Sequence, residues 1–352
     1  MRPTKDLHVK ECKPLATPAQ IVAEIPMTDA AAETVATARE EMRQLIHGQD
    51  RRLLVVVGPC SIHDVAMAEA YAAFIAEARR TYGASLLVLM RVYFEKPRTT
   101  TGWKGLINDP HLDGTYDVET GLRRGRKLLV QLAEAGIPAA SEVLDPISPQ
   151  YLAEAISWAA IGARTVESQT HREMASGLSM PIGLKNGTDG SLQTALNAMK
   201  SAAQPHRFLG VDVEGRVAVV ATTGNQDTHL VLRGGLAGPN YEEPYVLAAA
   251  DELRKAGLPS RVMIDCSHDN SSKDFARQPV VLDDIAAQLR RHDHILGVMI
   301  ESNLVAGKQA FPPPAGTSLR YGQSITDGCV DLEATRRMLD ALADALAGRP
   351  AA

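Results

Sequence analysis

The stretch LLVVVGPCSIHD, residues 53–64, joins five consecutive aliphatic side chains to a glycine and a turn that begins with Pro59 and Cys60. A short, unbroken apolar run of this kind is typical of a strand that is buried on both faces, as in a parallel sheet covered by helices. The pattern therefore predicts a buried parallel strand over residues 52–58. It also raises the question of why that strand leads into a thiol.

The same rhythm recurs along the chain, where short β-branched runs alternate with helical stretches rich in Ala and Leu. Seven further strands are predicted, in the stretches SLLVLMRVYF, IPAASEV, AIGART, PIGLKN, HLVLRGG, RVMIDCSH and ILGVMIES. Eight such units favour a (β/α)8 TIM barrel, which usually takes about 250 residues. A doubly wound sheet is the alternative, but no predicted strand is followed by GxGxxG, so its dinucleotide-binding version has little support.

Two segments lie outside this rhythm. Residues 1–50 are predicted to form an N-terminal extension with helical content, in which TPAQ has the pattern of a capping box with Pro at the first helical position. The stretch RFLGVDVEGRVAVVATTG contains two alternating segments around Glu214 and Gly215, which predict an inserted β-hairpin at about residues 205–225. The catalytic barrel is then expected to occupy residues 51–352.

The composition argues against several classes of protein. Of the 352 residues, 37 are Lys or Arg and 42 are Asp or Glu, and the net charge of -5 argues against a nucleic acid or a membrane surface as the main partner. The longest apolar runs are too short to cross a bilayer, and the N-terminal residues lack the apolar core of a signal peptide. The four cysteines form no CxxC pair, which argues against a disulfide framework. We expect a cytoplasmic protein with reduced thiols.

The residues that end the predicted strands are almost all ionisable. In a barrel, the C-terminal ends of the strands converge on one mouth. Side chains that are far apart in the sequence are therefore expected to surround a single cavity. In chain order they are Cys60, Arg91, Glu142, Arg164, Lys185, Arg233, Asp265 with His268, and Glu301.

One group of these side chains combines soft and hard metal ligands: Cys60, His268 and Glu301, joined by Asp327 from YGQSITDGC after the eighth strand. A thiolate, an imidazole and two carboxylates suit Mn, Fe, Co, Zn or Cu better than Mg or Ca. Other interpretations stay open at this point. Cys60 can be a small buried apolar residue or a nucleophile with His63 as its base, and Asp327 can be the N-cap of a helix over CVDLEATRRML.

The other group is cationic. Arg side chains bind carboxylate and phosphate oxygens in a bidentate manner, so this group predicts an anionic substrate with more than one charged group. Thr99 and Thr100 add hydroxyl donors that suit a phosphate. Lys185 has a second possible role as the amine of a Schiff base with a carbonyl substrate. The six cations are Arg91, Lys96, Arg98, Arg164, Lys185 and Arg233.

These residues lie in longer stretches, among them GPCSIHD, MRVYFEKPRTT, GWKGLINDP, HLVLRGG and YGQSITD. Together the stretches closely resemble the 3-deoxy-D-arabino-heptulosonate 7-phosphate (DAHP) synthase family, in the microbial form that has an N-terminal extension and responds to aromatic amino acids. The resemblance covers nearly the whole chain. It implies a metal-containing (β/α)8 barrel that condenses phosphoenolpyruvate with erythrose 4-phosphate and releases phosphate, the first step of the shikimate pathway.

The resemblance also implies roles for individual residues. One divalent ion, Mn, Fe, Co or Zn, would be bound by Cys60, His268, Glu301 and Asp327. Erythrose 4-phosphate would be held by Lys96, Arg98 and Thr99. Lys96 would in addition donate a proton to the developing alkoxide, which makes it a catalytic residue together with Cys60, His268 and Asp327. Phosphoenolpyruvate would be bound at its phosphate by Arg164 and Arg233, at its carboxylate by Arg91 and Lys185, and through water by Glu142.

An inhibitor pocket between barrel, hairpin and extension is a further implication of the resemblance. The residues that match its lining are Gln150, Leu178, Ser179, Phe208 and Val220. Pro146 and Gly210 match the tyrosine-sensitive form of the family. We interpret the glycine as a residue that leaves room for a phenol hydroxyl near the ring of the effector. The family also suggests a homodimer or homotetramer in which the extension crosses to a neighbouring subunit.

Two other functions compete with a metal-dependent synthase. One is an aldolase that forms a Schiff base at Lys185, and the other is a non-catalytic amino-acid sensor built on the same barrel. The intact set of strand-end residues argues against the sensor. A separate expectation is that Cys60 and Cys329 come close enough to oxidise together when the metal is lost.

Overall fold

The computed structural model describes residues 2–348 of the chain. In chain order, the strands are β1 (Leu53–Gly58), β2 (Leu86–Arg91), β3 (Ala139–Glu142), β4 (Trp158–Ile161), β5 (Ile182–Lys185), β6 (Arg207–Val211), β7 (Val217–Ala221), β8 (Thr228–Leu232), β9 (Val262–Asp265), β10 (Ile295–Glu301), β11 (Val305–Lys308) and β12 (Gln323–Ser324). The helices are α1 (Pro18–Glu24), α2 (Asp29–Ile46), α3 (Val65–Tyr82), α4 (Val118–Glu134), α5 (Pro149–Leu152), α6 (Gln169–Ala175), α7 (Leu192–Ala202), α8 (Glu243–Lys255), α9 (Gln278–Leu289) and α10 (Leu332–Ala347).

Eight of these strands close into a barrel in the order β1-β10-β9-β8-β5-β4-β3-β2. Every neighbouring pair in it is parallel. The predicted (β/α)8 TIM barrel is therefore confirmed. The doubly wound alternative is wrong, because the hydrogen bonds between β1 and β10 leave no open edge in the sheet.

The unbroken apolar run of β1 is explained by burial on both sides. Leu53, Val55 and Val57 belong to the large apolar cluster that includes the residues packed between the barrel and its helices. Leu54 and Val56, which alternate with them, belong to a second cluster with residues from the other barrel strands. Successive side chains of a strand point to opposite faces, so both faces of β1 need apolar residues.

Helix α2 covers the N-terminal end of the barrel. Met42 and Leu45 are fully buried and belong to the same cluster as Leu54 of β1. Arg261, which precedes β9, donates a hydrogen bond from its Nη1 to the carbonyl oxygen of Leu45 at 3.2 Å. Because the extension covers this end, the opposite end, where the strands finish, is left for function.

The predicted hairpin and the helices of the extension are both present. The hairpin strands β6 and β7 are antiparallel and pair Phe208 with Val220. The start of α1 has the predicted capping box between Thr17 and Gln20. The two segments touch where the amide N–H of Ala19 donates to the carbonyl oxygen of Val213 at 2.8 Å. No helix within residues 2–348 has the length and apolarity needed to cross a membrane.

Candidate active site

The fold brings the ionisable strand-end residues to one end of the barrel. Five of them are the last residues of their strands, and Arg233 directly follows β8. Cys60, Arg164 and His268 lie two or three residues beyond the ends of β1, β4 and β9. The five that end strands β2, β3, β5, β9 and β10 are Arg91, Glu142, Lys185, Asp265 and Glu301.

A glycine allows the turn that carries Cys60. Gly58 has a φ of +154°, and a Cβ at this position would lie only 2.8 Å from the carbonyl oxygen of Arg91. Only glycine permits β1 to approach β2 this closely before the chain turns. The thiol of Cys60 is placed by this turn in a fully buried position.

Three of the four predicted metal ligands lie together. One ligand atom each from Cys60, Glu301 and Asp327 lie within 4.8 Å of one another. The Cys60 Sγ is 3.4 Å from the Asp327 Oδ2. Donor atoms that share one transition-metal ion at about 2.0–2.3 Å from it are separated by distances of this order. The arrangement and the mixture of sulfur and oxygen donors therefore fit a divalent transition-metal ion.

His268 lies close to this set but is not one of the three. It follows β9 with a φ of +55°, and its Nδ1 is 2.8 Å from the buried Oδ2 of Asp265. A carboxylate in contact with Nδ1 leaves Nε2 as the nitrogen that can bind a metal. Although burial opposes the effect, the positive charges of Lys96 and then His268 lower the pKa of Asp327.

Burial, followed by the negative charge of Glu301, raises the pKa of the Cys60 thiol to about 12. The nearest cation is Lys96, whose Nζ is 3.1 Å from the Cys60 Sγ. A thiol with a pKa this high is a poor nucleophile at neutral pH, which argues against the alternative in which His63 activates Cys60. A bound dication would favour the thiolate instead, because a metal deprotonates a coordinating thiol.

Three of the predicted cations are paired with carboxylates, and two of these carboxylates, Glu301 and Asp265, are fully buried. Arg91 is 1% exposed and its Nη2 donates to the Glu301 Oε1 at 3.0 Å. Lys185 Nζ donates to the Asp265 Oδ2 at 2.9 Å. Arg233 donates in the same way to Asp269. These contacts fix the cations in position at the mouth of the barrel and supply the opposite charge that buried cations need.

Arg164 differs from these three cations. Its side chain is exposed, and the described part of the chain offers it no ion pair. It lies in the turn after β4, where a Cβ at Gly162 would be 2.4 Å from the Glu142 Oε1. Glu142 therefore packs against the turn that carries Arg164, and the guanidinium of Arg164 is available to an anion.

The predicted sugar-phosphate residues divide into two groups. Lys96 is buried beside Cys60, but Arg98 and Thr99 are exposed on the loop that follows it. The base of this loop is closed by a hydrogen bond from the Lys96 amide to the carbonyl oxygen of Lys104 at 2.9 Å. Inside the loop, Arg98 Nε donates to the carbonyl oxygen of Trp103 at 2.8 Å. Of these three residues, Lys96 alone contacts the cluster of metal ligands.

The predicted effector residues fall on three segments around the hairpin. Pro146 and Gln150 lie in and after the turn from β3 to α5, Leu178 and Ser179 follow α6, and Phe208, Gly210 and Val220 lie on the hairpin. A Cβ at Gly210 would be 2.7 Å from Val220 Cγ2.

Two hydrogen bonds bring these segments towards one another. The hairpin and the end of α6 meet where Ser176 Oγ and Thr222 Oγ1 are 2.6 Å apart. Helix α5 meets the extension where Tyr151 Oη donates to the carbonyl oxygen of Ala16 at 2.9 Å.

Some residues of the site had no predicted role. Ser267 Oγ donates to the Glu301 Oε2 at 2.8 Å, and Asp265 holds both Lys185 and His268. Period-two alternation from the end of β9 places Asp265 and Ser267 on the same side, and this pattern is the signal that points to both.

The interpretation of Asp327 as the N-cap of a helix is wrong. Helix α10 is capped by Asp331, whose side chain accepts a hydrogen bond from the Ala334 amide at 2.9 Å.

Comparison with known proteins agrees with this geometry. The model of the DAHP synthetase I family matches residues 25–340. The Tyr-sensitive phospho-2-dehydro-3-deoxyheptonate aldolase of Escherichia coli is 52% identical over 335 residues, which are 95% of this chain and 94% of that protein. The Phe-sensitive enzyme of the same organism is 51% identical over 345 residues, 98% of each chain.

A solved structure agrees as well. The phospho-2-dehydro-3-deoxyheptonate aldolase of Francisella tularensis superimposes with a TM-score of 0.95 at 51% identity, covering 97% of this chain and 100% of the other. The resemblance seen in the sequence motifs is thereby confirmed over nearly the full length. The chain is an enzyme that belongs to the DAHP synthetase I family.

Proposed function

We propose that this enzyme condenses phosphoenolpyruvate with D-erythrose 4-phosphate to give 3-deoxy-D-arabino-heptulosonate 7-phosphate and phosphate, the first step of the shikimate pathway. The observation that carries the proposal is the approach of Cys60, Glu301 and Asp327 to within 4.8 Å of one another beside Arg91 and Lys96. A metal-ligand cluster next to fixed cations suits a reaction between two anionic substrates.

Phosphoenolpyruvate binding is assigned to the cations of the barrel mouth. Arg164 and Arg233 bind its phosphate, Arg91 and Lys185 bind its carboxylate, and Glu142 acts through water. Support comes from their placement on neighbouring strand ends and from the carboxylates that hold three of them. Fixed cations bring together reactants that repel one another, and positioning of this kind can contribute about 7–11 kcal/mol.

Erythrose 4-phosphate is assigned to Lys96, Arg98 and Thr99. Burial opposes it, but the neighbouring acidic groups, first the Cys60 thiol and then the Glu301 carboxylate, raise the pKa of Lys96. Lys96 is therefore protonated at neutral pH and can donate a proton to the developing alkoxide. Arg98 and Thr99, on the exposed loop, supply donors for the sugar phosphate.

We assign the metal site to Cys60, His268, Glu301 and Asp327, with Mn, Fe, Co or Zn as the ion. When bound, the ion supplies a Lewis acid that polarises the aldehyde. The chain contributes a buried sulfur donor and a buried carboxylate, which limit access of water to the site. The catalytic residues are then Lys96, Cys60, His268 and Asp327.

The Schiff-base alternative is less well supported than this reaction. Lys185 is 4% exposed and its Nζ is paired with the Asp265 Oδ2 at 2.9 Å. An amine held in this ion pair is not free to attack a carbonyl, as a Schiff-base lysine must.

Feedback inhibition by tyrosine is also proposed. The effector site comprises Pro146, Gln150, Leu178, Ser179, Phe208, Gly210 and Val220, on segments that the structure brings towards the hairpin and the extension. The preference for tyrosine rests on the match of Pro146 and Gly210 to the tyrosine-sensitive form; in the structure, Val220 Cγ2 occupies the place where a side chain at Gly210 would begin. Inhibition assays with Tyr, Phe and Trp test this assignment, which is wrong if Tyr is the weakest of the three.

We further propose that the enzyme is cytoplasmic and forms a homodimer or homotetramer. Several apolar residues of the hairpin are exposed, with Leu209 at 79% and Val217 at 80%, and a neighbouring subunit would cover them. We place the regulatory extension in residues 1–50 and the catalytic barrel in residues 51–352.

Phosphate release from the two substrates tests the proposed reaction. We expect release to require both substrates, to stop on treatment with EDTA, and to return when Mn²⁺ is added. Borohydride reduction in the presence of substrate serves as the control for the Schiff-base alternative. Activity that resists EDTA, together with a reduced adduct at Lys185, would contradict the proposal.

A further inference from the structure

One carboxylate at the mouth of the barrel contacts two groups to which the proposed function gives separate tasks. Asp265, the last residue of β9, has no exposed surface. Its Oδ2 lies 2.9 Å from Lys185 Nζ and 2.8 Å from His268 Nδ1. Its Oδ1 accepts a hydrogen bond from the Ser267 amide at 3.0 Å. A single carboxylate oxygen thus accepts a hydrogen bond from Lys185 and lies in close contact with the ring nitrogen of His268.

We propose that Asp265 is a positioning residue that couples cation binding at His268 to phosphoenolpyruvate binding at Lys185. The inference rests on the proposed function, because it takes His268 as a metal ligand and Lys185 as the partner of the substrate carboxylate. It adds a thermodynamic link between the two sites, which neither assignment contains by itself.

The contact with Asp265 selects the form of His268 that can bind a metal. A carboxylate next to Nδ1 favours a hydrogen on that nitrogen, so the lone pair of the neutral ring is on Nε2. It also orients the ring. The left-handed backbone of His268, with a φ of +55°, is uncommon for a residue other than glycine and fixes the place from which the ring reaches Asp265.

The shared oxygen provides the coupling. A cation bound at Nε2 would withdraw electron density from the ring, so that Nδ1 would attract the Asp265 Oδ2, 2.8 Å away, more strongly. That oxygen then attracts Lys185 less strongly, and more of the charge on Lys185 is available to a substrate carboxylate. Metal binding should therefore strengthen phosphoenolpyruvate binding, and by reciprocity the substrate should strengthen metal binding to the same degree.

An asparagine cannot replace this carboxylate. It has one acceptor oxygen and one NH2 group, whereas the site presents donors on both sides of the carboxylate: the Ser267 amide on one side, and Lys185 and His268 on the other. Either orientation of the amide makes an NH2 group face another donor. Asp265→Asn keeps the size of the side chain and removes the shared acceptor, so it isolates the proposed link.

The test measures the dissociation constant of Mn²⁺ by calorimetry, with and without saturating phosphoenolpyruvate. For the unaltered enzyme we expect the substrate to tighten Mn²⁺ binding by about fivefold or more, the lower end of typical coupling. For Asp265→Asn we expect a change of less than about twofold. Equal coupling in the two proteins, or no coupling in the unaltered enzyme, would overturn the inference.

A second pair of variants decides the question should Asp265→Asn fail to fold. Among residues 2–348, Lys185→Met leaves His268 as the one charged or polar side chain in contact with Oδ2. We therefore expect Mn²⁺ to bind more tightly without substrate, by about the factor that the substrate produces in the unaltered enzyme. Arg233→Met removes a cation of the same site that pairs with Asp269 instead. If both variants tighten Mn²⁺ binding equally, the effect is one of net charge and the inference is wrong.

The control for the loop itself is Asp274→Asn. Asp274 accepts from the Ala276 amide at 3.0 Å and belongs to the same loop. We expect this variant to retain the coupling of the unaltered enzyme, and loss of the coupling here would count against a role particular to Asp265.

The binding measurements also distinguish failure of the inference from failure of the proposed function. Mn²⁺ and phosphoenolpyruvate that bind without coupling contradict only the inference, whereas failure of both to bind contradicts the proposed function.

Discussion

The side chain of Glu95 is a carboxyl whose pKa is changed mainly by burial. It directly precedes Lys96, is 5% exposed, and its Oε2 accepts a hydrogen bond from Ser148 Oγ at 2.8 Å. Burial, opposed by the bond from Ser148 and aided by the charge of Asp145, raises the pKa of Glu95 from 4.5 to about 8. The carboxyl is therefore neutral in the folded protein at pH 7. It adds no negative charge at the base of the loop that is assigned to an anionic substrate.

Glu95→Gln should change how stability depends on pH. The stability that comes from a neutral Glu95 is fully present below pH 4.5 and is lost as the pH rises through the folded pKa of about 8. Since glutamine stays neutral, we expect the variant to gain stability relative to the unaltered enzyme between these values, by on the order of 3 kcal/mol at pH 8.

Urea unfolding at pH 5 and pH 8 measures this difference. The control is Glu69→Gln, on an exposed part of α3. Its stability relative to the unaltered enzyme should be almost the same at both pH values. A Glu95→Gln variant whose stability relative to the unaltered enzyme is the same at both pH values would contradict the assignment of a neutral carboxyl.

Two buried cysteines offer a matched pair for the metal site. Cys60 and Cys266 are both fully buried at the C-terminal side of the barrel, but only Cys60 belongs to the ligand cluster. Loss of a residue that merely supports a ligand costs about 10- to 100-fold in metal affinity, so Cys60→Ala should lose more than about 100-fold.

Cys266→Ala should bind the metal with the affinity of the unaltered enzyme. Calorimetry with Mn²⁺ and far-ultraviolet circular dichroism measure affinity and fold in parallel. Equal affinities for the two variants would show that Cys60 is a packing residue.

At the scale of elements, the extension is tied to the barrel by a buried arginine on α4. Arg126 has no exposed surface; it donates from Nε to the carbonyl oxygen of Ile25 at 2.7 Å and from Nη1 to that of Tyr151 at 2.8 Å. It also pairs with Glu154. A neighbouring arginine on the same helix, Arg123, joins the extension through a pair with Glu24 that is partly exposed.

Arg126→Met should therefore destabilise the protein far more than Arg123→Met. The first change leaves one buried and one partly buried carbonyl group without their donor, and we expect a loss of about 3–5 kcal/mol. The second removes a partly exposed pair worth at most about 1 kcal/mol. Urea unfolding measures both variants. Losses of equal size would mean that the extension is held by its apolar contacts and not by Arg126.

The elements also show how far the sequence leads. The long apolar runs locate β1 and β10 well, because only strands buried on both faces have them. Strand β4 begins at Trp158, two residues before the predicted stretch AIGART. Its two alanines favour helix over strand, so they weaken the strand signal at its start. The small sheet of β11 and β12 was not predicted, since four- and two-residue strands carry no periodic signal.

The candidate site could be predicted in its membership but not in its pairings. Alternation and strand ends identify which residues face the mouth of the barrel. They do not show that Arg91 pairs with Glu301, or that Lys185 and His268 share Asp265, because these contacts depend on barrel closure and on loop conformation. The left-handed backbone of His268 is one such conformation, and nothing in the sequence around it indicates a positive φ.

For the molecule as a whole, the fold assigns different tasks to the two ends of the barrel. Helix α2 seals the N-terminal end with Met42 and Leu45, which are fully buried. The C-terminal end gathers ionisable groups from strand ends and loops that are up to 267 residues apart, the separation between Cys60 and Asp327. The barrel offers a rigid frame for such a site, because each strand end is fixed by its parallel neighbours.

The central claim is that donors from distant strands meet around one cation beside a ring of positive groups. Anomalous diffraction from crystals soaked with Mn²⁺ and phosphoenolpyruvate tests it most directly. We predict one strong anomalous peak within about 2.0–2.6 Å of the Cys60 Sγ, the carboxylates of Glu301 and Asp327, and the His268 Nε2. A peak bound elsewhere, or a map in which Cys60 and His268 hold no common ion, would contradict the account.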